Sequence, residues 1–176
     1  MIERRRCTHG RWLGRDAYFL APGWVMTSRE PVRLHAVLGV CVAVCIRDRR
    51  QANGGMCHYI WPKAPSPAEA TPCYGDAALA ALLRSLAADG SASADLEAWI
   101  FGGALPVGTG DDLRRRVDAS LQLARDVLAR RGIGVVCEDV GGVLGRKIAF
   151  DLGSGQALVL KTRNLRKRDW APVISA

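Results

Sequence analysis

The chain has 176 residues, 49% hydrophobic and 24% charged, with a formal net charge of +8. That length suits one domain whose core can hold without disulfides or metal. No apolar run is long enough to span a bilayer, and the basic start Met1 to Arg6 is not followed by the apolar segment of a signal peptide. The expectation is therefore a cytoplasmic protein with no membrane insertion, whose six cysteines are reduced thiols and not a disulfide framework.

The positive charge gathers at the ends, in Arg4, Arg5 and Arg6, then in Lys161, Arg163, Arg166, Lys167 and Arg168. Such clusters read as solvated tails. No helix-turn-helix, zinc-finger or RNP pattern accompanies them, so no nucleic-acid partner is expected. The basic surface suits an acidic protein partner instead.

Residues 1–16 read as an irregular N-terminal segment. Tyr18 to Leu20 and Trp24 to Thr27 read as short strands joined by the turn Ala21-Pro22-Gly23. From Pro31 to Ile46 the chain is rich in β-branched residues, which predicts one buried strand or two broken at Gly39. Met56 to Trp61 is a further strand, followed by a loop carrying Pro62, Pro65, Pro67 and Pro72. Tyr74 to Ala88 has apolar residues at helical spacing and Gly90 just past its end. Leu96 to Phe101 reads as a strand. A second helix follows, with Asp111 or Asp112 as its cap, Leu113, Val117, Leu121, Ala124 and Leu128 on its apolar face, and Gly132 as its stop. Ile133 to Val140, Lys147 to Asp151 and Gln156 to Lys161 read as closing strands. The sum is a mixed α/β fold: one layered α/β sandwich of short strands with two main helices, over residues 17–161, and a basic C-terminal tail over 162–176.

Cys41 lies in an apolar strand with Gly39 two residues before it, so backbone can approach a substrate closely there. A cysteine in such a strand is more often a small core hydrophobe. His58, one of only three histidines, follows the glycine turn Gly54-Gly55 on a short strand, where its ring can face a neighbouring strand. An imidazole in contact with a thiol lowers the thiol pKa and can later protonate a leaving amine. On this reading Cys41 should alkylate at neutral pH faster than the other cysteines. Cys41 and Cys45 stand four apart on a strand, which is poor for a shared tetrahedral ion, so no metal is expected. The glycine pair Gly103 and Gly108 lacks the Lys-Ser/Thr of a phosphate loop.

Several blocks, in order, resemble the CheD family of chemoreceptor glutamine deamidases. Arg33 to Asp48 is similar to its motif L-T-T-L-L-G-S-C-V-A-V-C-L-x-D, and Gly54 to Pro62 to its G-G-M-N-H-F-x-L-P. Ile100 to Ala104 resembles I-F-G-G-A, and Glu138 to Phe150 resembles E-D-x-G-G-x-x-x-R-K-V-x-F. The resemblance implies an α/β sandwich, glutamine deamidation without a cofactor, Cys41 as nucleophile and His58 as base. It implies backbone N–H groups around Gly39 and Val40 as the oxyanion site, and the cytoplasmic domains of methyl-accepting chemoreceptors as partners, with a CheC-type phosphatase as a further one. Three positions depart from the pattern, and the segment 105–120 lacks the family's Ile-Gly-x-x-Asn element. His35 stands where the family has the Thr of a third catalytic position, Val40 replaces Ser before the nucleophile, and Cys57 replaces Asn before His58. His35 is thus the candidate for orienting His58. The alternative is a catalytically degenerate member that only binds receptors or a CheC-type phosphatase.

Overall fold

The computed structural model describes residues 17–163; the N-terminal segment 1–16 and the tail from 164 on lie outside the described residues. Nine strands and two α-helices form three layers there. The first sheet contains β1 (Ala17–Phe19), β3 (Arg33–Leu38), β8 (Gly145–Asp151) and β9 (Ala157–Thr162) in the order β1-β3-β8-β9. The second contains β2 (Trp24–Ser28), β4 (Val42–Asp48), β5 (Gly54–Tyr59), β6 (Leu96–Gly102) and β7 (Gly134–Val140) in the order β2-β5-β4-β6-β7. The helices α1 (Gly75–Ala88) and α2 (Asp111–Arg130) cover the outer face of the second sheet. Among the described residues, no helix is long and apolar enough to cross a membrane.

Each layer follows from side-chain periodicity. In β3, Leu34, Ala36 and Leu38 alternate inward and meet Ala43, Cys45, Met56, Phe101 and Phe150 between the sheets. In β4 the other face, Val42, Val44 and Ile46, meets Leu79, Leu82, Leu86, Leu121 and Leu128 of the helices. β4 is buried on both faces, which is why its sequence is apolar without alternation. Leu82 shows how tight this layer is. Its Cδ1 would stand 2.8 Å from a Cβ placed on Gly55, and the Met26 carbonyl only 2.3 Å from it, so β5 needs glycine there. A Leu82→Ala truncation in such a site costs about 2–5 kcal/mol.

The stretch from Pro31 to Ile46 is two strands, as the break at Gly39 allowed, and they lie in different sheets. The cap of α2 differs from the sequence expectation. It is Gly110, with no side-chain hydrogen bond, while Asp111 and Asp112 occupy the first turn. Carboxylates there still favour the positive end of the helix dipole. The strand read as Met56 to Trp61 starts two residues earlier, at Gly54, and stops at Tyr59. There the Tyr59 hydroxyl donates to the Ser120 carbonyl at 2.9 Å and ties β5 to α2. β9 runs to Thr162, one residue past the expected domain end.

Candidate active site

The site arises where the chain changes sheets. β1 pairs with β3 in parallel, Tyr18 opposite Leu34, so both strands leave the first sheet at the same end. Both then cross to the second sheet, β1 through residues 20–23 into β2 and β3 through residues 39–41 into β4. β2 and β4 flank β5, which places His58 between Trp24 on one side and Ala43 on the other. Cys41 is the last residue before β4, two positions from Ala43. The two turns thus bring Cys41 and His58 to one end of the sandwich.

His58 is fully buried. Its Nδ1 lies 3.1 Å from the Leu20 carbonyl oxygen. A carbonyl only accepts, so Nδ1 carries the proton and Nε2 holds a lone pair. That Nε2 is buried and has no hydrogen-bond partner. The main chain of the same residue is fixed as well, because the Gly23 amide donates to the His58 carbonyl at 2.7 Å. Burial lowers the imidazole pKa to about 4, opposed by the Leu20 hydrogen bond, so the ring is neutral at neutral pH.

The Cys41 turn is clamped by the end of β6. The Gly103 amide donates to the Cys41 carbonyl at 2.8 Å, and the Ala104 amide to the Gly39 carbonyl at 2.9 Å. Gly102, at φ +113°, lies so close that a Cβ there would meet the Cys41 carbonyl oxygen at 2.1 Å. A second loop backs the first: the Gly141 amide donates to the Gly102 carbonyl at 2.9 Å, and the Leu105 amide to the Gly142 carbonyl at 2.8 Å. Arg146, only 2% exposed, holds that second loop. It donates to the Gly141 carbonyl and to the Asp139 carboxylate, each at 2.7 Å. Among the described residues, the amides of Val40 and Cys41 donate to no main-chain carbonyl. The Cys41 amide is turned toward its own sulfur, and N–H groups beside a thiol are what an oxyanion requires.

Burial pushes the Cys41 thiol up to about 11, against the opposing charge of Arg116. Thiol and imidazole are therefore both neutral at rest, and no hydrogen bond joins them. This differs from the expectation of a thiol activated at neutral pH. Desolvation penalises the thiolate here more than the nearby guanidinium favours it.

His35 is not brought to this pair. Its neighbours Leu34 and Ala36 point between the sheets, so its own side chain lies on the opposite face of β3, across from Ala149. Only its backbone approaches, the His35 carbonyl accepting from the Leu20 amide at 2.8 Å. Sequence reasoning missed the Leu20 carbonyl, which carries no side-chain signal. Arg146 falls within the motif Glu138 to Phe150, which by itself gives it no role. Sequence reasoning also passed over Arg116, whose side chain sits with its guanidinium carbon 4.0 Å above the Trp61 ring. Its place beside the buried Val117 on α2 marks it as bordering the core.

Comparison with known proteins finds relatives over most of the chain. A family model described as CheD chemotactic sensory transduction matches residues 62–161. A probable chemoreceptor glutamine deamidase CheD of Trichlorobacter lovleyi is 37% identical over 142 residues, covering 81% of this chain and 88% of that one. The protein named probable chemoreceptor glutamine deamidase CheD 1 of Anaeromyxobacter dehalogenans is 36% identical over 146 residues, covering 83% and 85%. A similarly named protein of Rhodospirillum rubrum is 37% identical over 144 residues, covering 80% of each.

Proposed function

This chain belongs to the CheD family, and we propose that it is a chemoreceptor glutamine deamidase, an amidohydrolase with Cys41 as nucleophile and His58 as general base. The observation that supports the pairing best is the buried His58 ring, its Nδ1 proton committed to Leu20 and its Nε2 left bare at the end of the sandwich that holds Cys41. The reaction starts from the neutral pair. As a glutamine side-chain amide docks, Sγ attacks its carbonyl carbon while the thiol proton passes to Nε2. Concerted transfer avoids a free thiolate, which this buried position disfavours. The oxyanion is held by the amides of Val40 and Cys41, next to Gly39. His58 returns the proton to the departing nitrogen and ammonia leaves. Water, deprotonated by His58, then attacks the thioester carbon and expels the thiol, leaving glutamate. The Leu20 carbonyl takes the orienting role that the family pattern suggested for position 35, and no cofactor enters the scheme.

The test is to incubate the chain with chemoreceptor cytoplasmic domains and follow glutamine-to-glutamate conversion by mass spectrometry. Conversion by the wild type, absent in Cys41→Ala and His58→Gln, is the expected result. Binding of those domains without conversion by the wild type would favour the degenerate, binding-only member instead.

A further inference from the structure

We propose that Arg116, stacked on Trp61 beside the Cys41 turn, is a carboxylate-binding subsite that selects glutamines flanked by an acidic residue of the substrate chain. The inference rests on the deamidase reading and adds its specificity.

Position comes first. Arg116 precedes Val117, whose Cγ1 would touch a Cβ on Gly103 at 3.1 Å, and the Gly103 amide binds the Cys41 carbonyl. Trp61 follows Tyr59 by two residues, and Tyr59 pairs with Val42, the neighbour of Cys41. Residues 61 and 116 thus approach the nucleophile turn from β5 and from α2. The Arg116 charge acts on the Cys41 thiol, in keeping with that placement.

Chemistry comes second. Trp61, 43% exposed, holds the guanidinium over its ring face at 4.0 Å. Stacking of this kind leaves the in-plane N–H groups free, and that fork matches a carboxylate. Other arginines of the described residues have acidic partners: Arg47 has Glu97, Arg125 has Glu138 and Arg146 has Asp139. Arg116 has none among the described residues, and its Nε is buried without any hydrogen-bond partner. Nε is closed to solvent, so a carboxylate brought by the substrate would take the terminal N–H groups of the guanidinium. The neutral amide of the reacting glutamine needs no such charge, so the carboxylate belongs to a neighbouring residue of the same substrate chain.

The experiment measures binding apart from turnover. The full chain carrying Cys41→Ala is titrated into labelled helical peptides that hold one glutamine flanked by Glu, by Gln or by Lys, followed by fluorescence anisotropy. We expect the Glu-flanked peptide to bind roughly tenfold tighter than the Gln-flanked one. Adding Arg116→Ala should erase that preference, and Arg116→Glu should reverse it in favour of Lys. Equal binding of the Glu- and Gln-flanked peptides, no binding of any peptide, or a Glu preference that survives Arg116→Ala and Arg116→Glu would each overturn the proposal. Wild-type assays on receptor domains separate the two readings. Deamidation without a flank preference sinks the subsite alone, and a charge-reversible flank preference without deamidation sinks the enzyme reading alone.

Discussion

The imidazole of His58 is oriented by a main-chain carbonyl: Nδ1 stands 3.1 Å from the oxygen of Leu20. The Leu20 amide in turn donates to the His35 carbonyl. An acceptor built from backbone is independent of the side chain at position 35. His35→Ala and His35→Thr should therefore keep kcat/KM for receptor deamidation within about threefold of the wild type, given the ordinary effect of substitutions away from a site. A loss of 100-fold in both variants would return the third role to His35.

Thiol reactivity should follow pH in the manner of a buried, neutral cysteine. With Cys41 pushed up to about 11, its alkylation at pH 7 should trail that of the exposed Cys137 and half-buried Cys73, and should climb as the pH approaches 11. Peptide mass spectrometry after timed iodoacetamide treatment resolves each cysteine. Cys41 labelling first at pH 7 would contradict the neutral resting pair.

Acid should unfold the protein partly through His58. Its folded pKa of about 4 lies below the ordinary value of 6.5, so between those values the unfolded chain binds the extra proton. The folded state loses stability as pH falls from 6.5 to about 4, by on the order of 3 kcal/mol in total. Above 6.5 the term vanishes. Urea midpoints across that range should slope less in His58→Gln than in the wild type.

Gly102 should tolerate no side chain. A methyl group there would overlap the Cys41 carbonyl oxygen, and φ is +113°. Gly102→Ala is expected to cost about 3 kcal/mol or more, from strain and overpacking together, and to abolish deamidation by shifting the Cys41 turn. Gly108→Ala is the control: φ is +83° with nothing within 4 Å of the new Cβ, so only backbone strain of about 1 kcal/mol is expected. Chemical denaturation of both variants checks the difference.

Arg146 supports the same turn from one layer further out. Arg146→Ala removes the donors to Gly141 and Asp139 and should destabilise the fold by about 3 kcal/mol. The loosened loops should also speed Cys41 alkylation relative to Cys137 within the same sample. Unchanged relative labelling in a folded variant would confine Arg146 to a stability role.

Much of this protein was legible along the chain. β-branched content marked the stretch from Pro31 to Ile46 that holds β3 and β4, helical spacing marked both helices, and the motif blocks led to Cys41 and His58. These are local signals, because a strand or helix shows its period within a few residues. The sequence by itself did not determine that the break at Gly39 is a change of sheet, nor that the turn at residues 20–23 makes the same crossing at the same end. Those depend on the parallel pairing of β1 with β3, a contact between distant segments. The orienting acceptor of His58 is a backbone atom of Leu20, and backbone atoms are the same in every residue. The facing of His35 depends on register, and a shift of one residue would have turned it inward. The neutrality of the Cys41 and His58 pair was decided by burial, which only the packed layers create.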